Sequence, residues 1–233
     1  MNKKNKSLII ITGLACLIAI GLVTGLASKK HMETTTNIDI TGQPTVGQSK
    51  APVSIIVFED LKCPICAKFN NDVYPNVIKK YIDEGTAKYT SITLAFIPGS
   101  IPAGNMALAL YAKNKDYFFP FVDYLYHHQE DEAKNWATIP TLLSFARNAM
   151  LPLSPSSSPA PLSLSTATQK ELSDQVASGQ YSSVLAHNLN IAEKAMPDGV
   201  ATPTVYINGK KVEPLTENNL KTMLKQAKEA APK

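Results

Sequence analysis

Arginine is all but missing from this chain of 233 residues, with Arg147 its one example. No basic cluster interleaves with aromatic side chains either, so the sequence gives nucleic-acid binding no support. Cysteine is scarce too: of three, only Cys63 and Cys66 lie close together in sequence. A structural zinc site normally takes four ligands, and a single CxxC leaves it short, so no metal is expected. His127 and His128 are adjacent, which on a helix points them in different directions, as in a solvated or packed pair. Internal repeats are lacking. Charged residues make up 18% against 44% hydrophobic, the balance of a globular chain of one to two domains. Acidic residues are absent before Glu33, whereas Lys3, Lys4, Lys6, Lys29 and Lys30 all lie there; without these five, 18 basic residues face 19 acidic ones. The formal charge of +4 therefore belongs to the N-terminus.

That N-terminus holds the longest apolar run, the 20 uncharged residues 8–27. At about 1.5 Å per residue, a helix of this length crosses a hydrocarbon core of about 30 Å. Three lysines precede the run and two follow it, which places residues 1–7 in the cytoplasm. Two fates fit. One is an uncleaved anchor in the inner membrane; the other is a signal peptide cut near Ala27, where Gly25-Leu26-Ala27 supplies small residues and Lys29-Lys30 disfavours the cut. Both send the remainder to a periplasmic or other extracytoplasmic space. Cys16 reads as a small apolar residue within the run. Residues 28–50, rich in Gly, Ser, Thr and Gln, read as a linker with a short edge strand at 37–40.

Residues 53–58 form a β-branched, nearly unbroken apolar run that predicts a strand buried on both faces. Beyond the cysteines, Cys66, Phe69, Val73 and Val77 recur at three- and four-residue steps, predicting a helix to about Tyr81 with a kink at Pro75. Residues 87–97 return as a strand, with Ile92, Leu94 and Phe96 on one face and Pro98-Gly99 as the stop. Strand–helix–strand at this spacing is a βαβ unit with parallel pairing. Met106, Leu110 and the aromatics between Tyr117 and Tyr124 predict two helices with the aromatics in their core, and 139–150 a third. Residues 151–165, four prolines among serines, predict a long exposed loop; helical pattern then runs from about Thr166 to Met196. Near the C-terminus, 204–207 reads as a strand, Asn208-Gly209 as a type I′ turn, 210–213 as the return strand, and Thr216 as the cap of a last helix. The expectation is one α/β body, residues 51–98 and 197–233, interrupted by a helical insertion over 99–196.

The junction between the first strand and its helix carries the chemistry. Disulfide exchange needs one thiolate that attacks and a second thiol near enough to resolve the mixed disulfide. A two-residue gap puts the second cysteine one helical turn away. The first, at a helix N-terminus, faces unpaired N–H groups and the positive end of the dipole, which stabilise a thiolate. Pro64 suits the first turn, where no N–H is required. Cys63 is the expected nucleophile and Cys66 the more buried resolving thiol. The same spacing also admits a structural disulfide, although so short a loop constrains the unfolded chain little.

Residues 41–69, TGQPTVGQSKAPVSIIVFEDLKCPICAKF, together with Val73-Tyr74-Pro75, Tyr81-Ile82-Asp83-Glu84-Gly85 and the distant run from Val200 through Thr202-Pro203-Thr204 to Asn208-Gly209, resemble the DsbA-like branch of the thioredoxin superfamily. The resemblance implies an α/β, thioredoxin-like fold with an inserted helical domain. It implies that Pro203 follows a cis peptide bond and lies against Cys63, with Thr202 offering backbone groups to a bound substrate. On the residues alone, Pro203 also reads as an ordinary proline opening an edge strand. Pro64 and Ile65 would tune the site. Two departures stand out. Many relatives carry a buried acid six residues before the first cysteine, where this chain has Val57, with Glu59 and Asp60 nearer the motif. Strongly oxidising members have His where this chain has Ile65, which can neither donate a hydrogen bond nor carry charge, so a less oxidising pair is expected.

What the resemblance implies in function is an exported thiol oxidase that donates its Cys63–Cys66 disulfide to reduced secreted or envelope proteins and is reoxidised by a DsbB-like membrane partner. No cofactor beyond that disulfide is implied, and a monomer is expected. A reductase or isomerase kept reduced by its partner is the alternative; a redox-inert binding chaperone is a further one.

Overall fold

The computed structural model describes residues 35–149 and 164–231. The apolar run 8–27 and nearly all of the loop expected at 151–165 lie outside the described residues. Among the described residues, no helix is long and apolar enough to cross a membrane.

Five strands form one mixed sheet: β1 (Thr45–Gly47), β2 (Val53–Asp60), β3 (Ala87–Leu94), β4 (Thr204–Ile207) and β5 (Lys210–Lys211), in the order β1-β3-β2-β4-β5. β2 and β3 run parallel, from Val53 opposite Ala87 to Asp60 opposite Leu94, while the other pairings are antiparallel. The β-branched sequence of β2 is buried on both faces as its apolar run predicts. On one face Val53, Ile55 and Val57 pack with Val77, Ile78, Leu220 and Leu224. On the other, Ile56 and Phe58 pack with Ile191, Ala192 and Tyr206.

The edge strand differs from the one expected at 37–40. Ile38 is drawn into the cluster around Phe58 and Ile191, and Gln43 Nε2 donates to Asn188 Oδ1 at 2.6 Å, so this stretch crosses the sheet face. Pairing begins only at Thr45, whose hydroxyl meets that of Thr90 at 2.9 Å. Residues 35–50, read as the end of a linker, thus pack on the body. β3 stops at Leu94, before Phe96, because the Phe96 and Ile97 N–H groups turn to the Asp60 carboxylate.

The helix after Cys63 begins as α1 (Pro64–Lys68), widens into a π-helical stretch Phe69–Ile78, and resumes as α2 (Lys79–Asp83). Pro75 lies in the wide part. A proline lacks an N–H, and its ring clashes with the carbonyl four residues back; a wider turn removes that clash where a kink was expected. Gly85, at φ +71°, ends the run with Gly85 N donating to Ile82 O and Thr86 N to Tyr81 O, the left-handed cap that favours glycine.

The helical layer comprises α3 (Ile101–Lys113), α4 (Phe118–His127), α5 (Ile139–Ala149), α6 (Thr166–Ala177) and α7 (Ser182–Ala195). The pattern read as one stretch from Thr166 to Met196 is broken at Gly179, φ +64°. Phe118, Phe121 and Tyr126 are buried, as core aromatics should be, and join Met106, Leu125 and Leu142 in a cluster that extends to Leu61, Cys63 and Cys66. His127 and His128 are exposed; His128 stacks on Tyr124 with ring centroids 3.9 Å apart. Asn208 and Gly209 both have positive φ, as a type I′ turn requires, and α8 (Glu217–Glu229) is capped by Thr216, which accepts from Asn219 N.

Candidate redox site

β2 leads straight into the site. Asp60, its last residue, is buried and accepts hydrogen bonds from Lys62 N (2.9 Å), Phe96 N, Ile97 N and Ser100 Oγ (each 3.0 Å). Burial pushes its carboxyl up and these four donors pull it back. One carboxylate thereby ties the turn before Cys63 to the loop after β3. Lys62 buries its side chain and donates from Nζ to the carbonyls of Pro98 (2.9 Å) and Lys134 (3.0 Å).

Cys63 caps α1: its Sγ accepts from Cys66 N at 3.4 Å, and Pro64 occupies the first turn. The Cys63 thiol also reaches Thr202 O at 3.5 Å, so the distant Thr202-Pro203 loop lies against the nucleophile, and the Thr202–Pro203 peptide bond is cis. The hydrogen bond from the Cys66 side chain is the chief cause that lowers the Cys63 thiol to about 6; contacts with Thr202 and α1 N–H groups add to it against the cost of burial. Cys66 is the opposite case. Burial holds it well above an ordinary thiol, reinforced by its hydrogen bond to Cys63 and by the charges of Cys63 and Glu59. The two cysteines are free thiols here. Pro64 and Ile65 are exposed hydrocarbon side chains, Ile65 at 60%, with no hydrogen-bonding group to offer Cys63.

Between Ile65 and Pro203 lies a cavity of about 160 Å³ whose lining is mostly apolar, from Ile65, Phe69, Val73, Pro203, Leu215 and Leu220, with Lys68, Thr216 and Glu217 completing it. Its apolar wall and open side suit a side chain of a bound polypeptide.

The residues expected at the site, Cys63, Pro64, Ile65, Cys66, Thr202 and Pro203, lie together at one end of the sheet. Glu59 was not among them. Glu59 lies on the same face of β2 as Val57, because a step of two along a strand returns to the same side. Its carboxyl is buried; Tyr126 Oη donates to Oε2 at 3.0 Å, and Ser91 Oγ binds Oε1. Burial pushes its proton affinity up, the two hydroxyls oppose that, and the charges of Cys63 and Asp60 add to it. An acid inside a strand buried on both faces was the available signal. Ser91 and Tyr126 carried none, since their role exists only through the fold.

The family model described as Thioredoxin matches residues 39–226. Disulfide bond formation protein D of Bacillus subtilis (strain 168) is 30% identical over 175 residues, 75% of this chain and 71% of that protein. Probable disulfide bond formation protein D of Bacillus cereus is 27% identical over 230 residues, 97% and 99% of the two chains. Among solved structures, oxidised BdbD from Bacillus subtilis superposes with a TM-score of 0.72 at 24% identity, over 85% of this chain and 99% of that one. DsbA from Chlamydia trachomatis gives 0.67 at 24% identity, over 86% and 95%. The α/β architecture is therefore the thioredoxin-like fold with an inserted helical domain.

Proposed function

Because the chain belongs to the thioredoxin family, among its DsbA-like thiol:disulfide oxidoreductases, we propose that it works as an oxidase outside the cytoplasm, donating the Cys63–Cys66 disulfide to reduced secreted or envelope proteins. The observation that carries this reading is the division between the two thiols: Cys63 lowered to about 6 against the Thr202-Pro203 loop, Cys66 buried and pushed up.

In the forward reaction a substrate thiolate attacks Cys63 Sγ, the Cys63–Cys66 bond breaks, and the electron pair leaves on Cys66. Burial makes a Cys66 thiolate costly, so a proton must reach it; Glu59 in its protonated form is the donor. A second substrate thiolate attacks the substrate sulfur of the mixed disulfide and expels Cys63 as a thiolate, a good leaving group because its proton affinity is low. The substrate gains a disulfide and the enzyme holds two electrons. Reoxidation reverses the roles: Cys63 attacks the oxidant's disulfide, Glu59 takes the Cys66 proton, and Cys66 attacks Cys63 Sγ. Thr202 and Pro203 would hold the substrate backbone beside Cys63, with the cavity between Ile65, Pro203 and Leu220 receiving a neighbouring side chain. Pro64 presets the first turn, and Ile65 leaves the tuning to Cys66 and the backbone.

A DsbB-like membrane reoxidant fits this cycle, and residues 8–27 fit an inner-membrane anchor or a signal cut near Ala27 in a monomeric enzyme. The test is the reduction potential of the pair together with disulfide formation in a reduced, unfolded substrate. A pair oxidised by glutathione disulfide and competent to oxidise that substrate supports the reading. A pair too reducing to do either would instead support a reductase or isomerase, the direction in which Ile65 in place of His shifts the potential.

A further inference from the structure

Each of the three residues leading into Cys63 meets one segment of the helical layer, 126–134. Tyr126 Oη lies 3.3 Å from Asp60 O, Gln129 Nε2 donates to Leu61 O at 2.9 Å, and Lys62 Nζ donates to Lys134 O at 3.0 Å. Tyr126 also meets Glu59, with Oη 3.0 Å from Glu59 Oε2. A phenol has one proton, and the shorter contact to a carboxylate is the stronger claim on it. Tyr126 and Glu59 are 3% and 4% exposed, so water does not replace that bond when it is removed. On the other side Ser91 Oγ holds Oε1, which leaves the carboxyl clamped between β3 and α4.

We propose that Tyr126 is a positioning residue of the exchange reaction, its hydroxyl holding Glu59 as a carboxylate in the orientation that takes the Cys66 proton. This rests on the reading of Glu59 given above. The step served is resolution of the mixed disulfide during reoxidation. Cys66 S–H gives its proton to Glu59, the Cys66 thiolate attacks Cys63 Sγ, the bond from Cys63 to the oxidant's sulfur breaks, and that sulfur leaves as a thiolate. The cysteine pair is oxidised and the departing thiol reduced.

The ionisable groups facing Glu59 are Asp60 beside it on β2, Cys63 and Cys66 from α1, Tyr89 from β3 and Tyr126 from α4. The anionic forms of all of these disfavour a second negative charge, and the hydroxyl donors oppose them. Without the Tyr126 donor, Glu59 keeps its own proton to higher pH and cannot accept another.

The experiment oxidises the full reduced chain with glutathione disulfide, acid-quenches at intervals, and follows by mass spectrometry the decay of the species glutathionylated at Cys63. In Tyr126→Phe, decay near neutral pH should slow about tenfold, the order expected for one hydrogen bond to a charged group. Its acid limb should move to higher pH, while the pH profile of Cys63 alkylation stays where it was. An unchanged limb and rate overturn the proposal. Glu59→Gln separates the two readings. If it decays at the parent rate, the Glu59 reading fails and this one with it; if it is slow while Tyr126→Phe matches the parent, only the Tyr126 assignment falls. Should Tyr126→Phe not fold, 3-fluorotyrosine at 126 keeps the ring and makes a stronger donor, which should move the limb to lower pH; an unmoved limb refutes the proposal.

Discussion

Replacing Cys66 by alanine should cost Cys63 much of its acidity. The structure attributes the lowering to about 6 first to the Cys66 side-chain hydrogen bond and only then to Thr202 and to the N–H groups of Cys66 and Ile65. A hydrogen bond to a charged acceptor contributes about 1.5–3 kcal/mol, which moves a titration midpoint from about 6 to between about 7 and 8. The parent is then about nine-tenths thiolate at pH 7 and the Cys66→Ala variant between about one-tenth and one-half. Alkylation of Cys63 by iodoacetamide at pH 7 should slow by roughly two- to tenfold, with the two proteins converging at high pH where both are fully ionised. Thiolate absorbance against pH, or the alkylation rate against pH, gives the midpoint directly. A variant midpoint still at about 6 refutes the reasoning and transfers the effect to the backbone N–H groups and the helix terminus.

Three further outcomes follow from the same geometry. The reduction potential should fall with pH by about 60 mV per unit below the Cys63 midpoint at about 6, and by about 30 mV per unit above it, because only Cys66 then carries a proton on reduction; a single slope across pH 5–8 in a redox-buffer titration would show both thiols protonated together. The reduced chain should gain stability relative to the oxidised one as pH rises from about 6 toward an ordinary thiol value, since a thiol lowered by folding contributes stability above its unfolded midpoint and loses it as pH falls through the folded one; urea melts at several pH values measure this. Asp60→Asn should destabilise by about 2–3 kcal/mol, because an amide presents one acceptor oxygen to four donors; a denaturation midpoint equal to the parent's would contradict the clamp.

Elements with a clear period, and the local chemistry of the redox turn, were legible from the residues alone. An apolar β-branched run, a CxxC behind it, an Asn-Gly between two short strands and a capping Thr216 each encode their geometry within a few residues. The helix cap at Cys63, the parallel pairing of β2 with β3 and the hairpin of β4 with β5 were legible for that reason. Contacts between residues distant in sequence set the rest. Pro75 gave a wide π-helical stretch where a kink was expected, because the turn can relax its clash by widening. Ile38 was drawn across a sheet face, which moved the edge strand to Thr45–Gly47. Where position 57 has no acid, Glu59 lies on the same face by strand parity, and its two hydroxyl partners come from β3 and from a helix 67 residues away in sequence. No local pattern specifies Ser91 or Tyr126 for that role. Burial under the helical layer is what raises the proton affinity of a glutamate that would otherwise be an ordinary acid next to a CxxC.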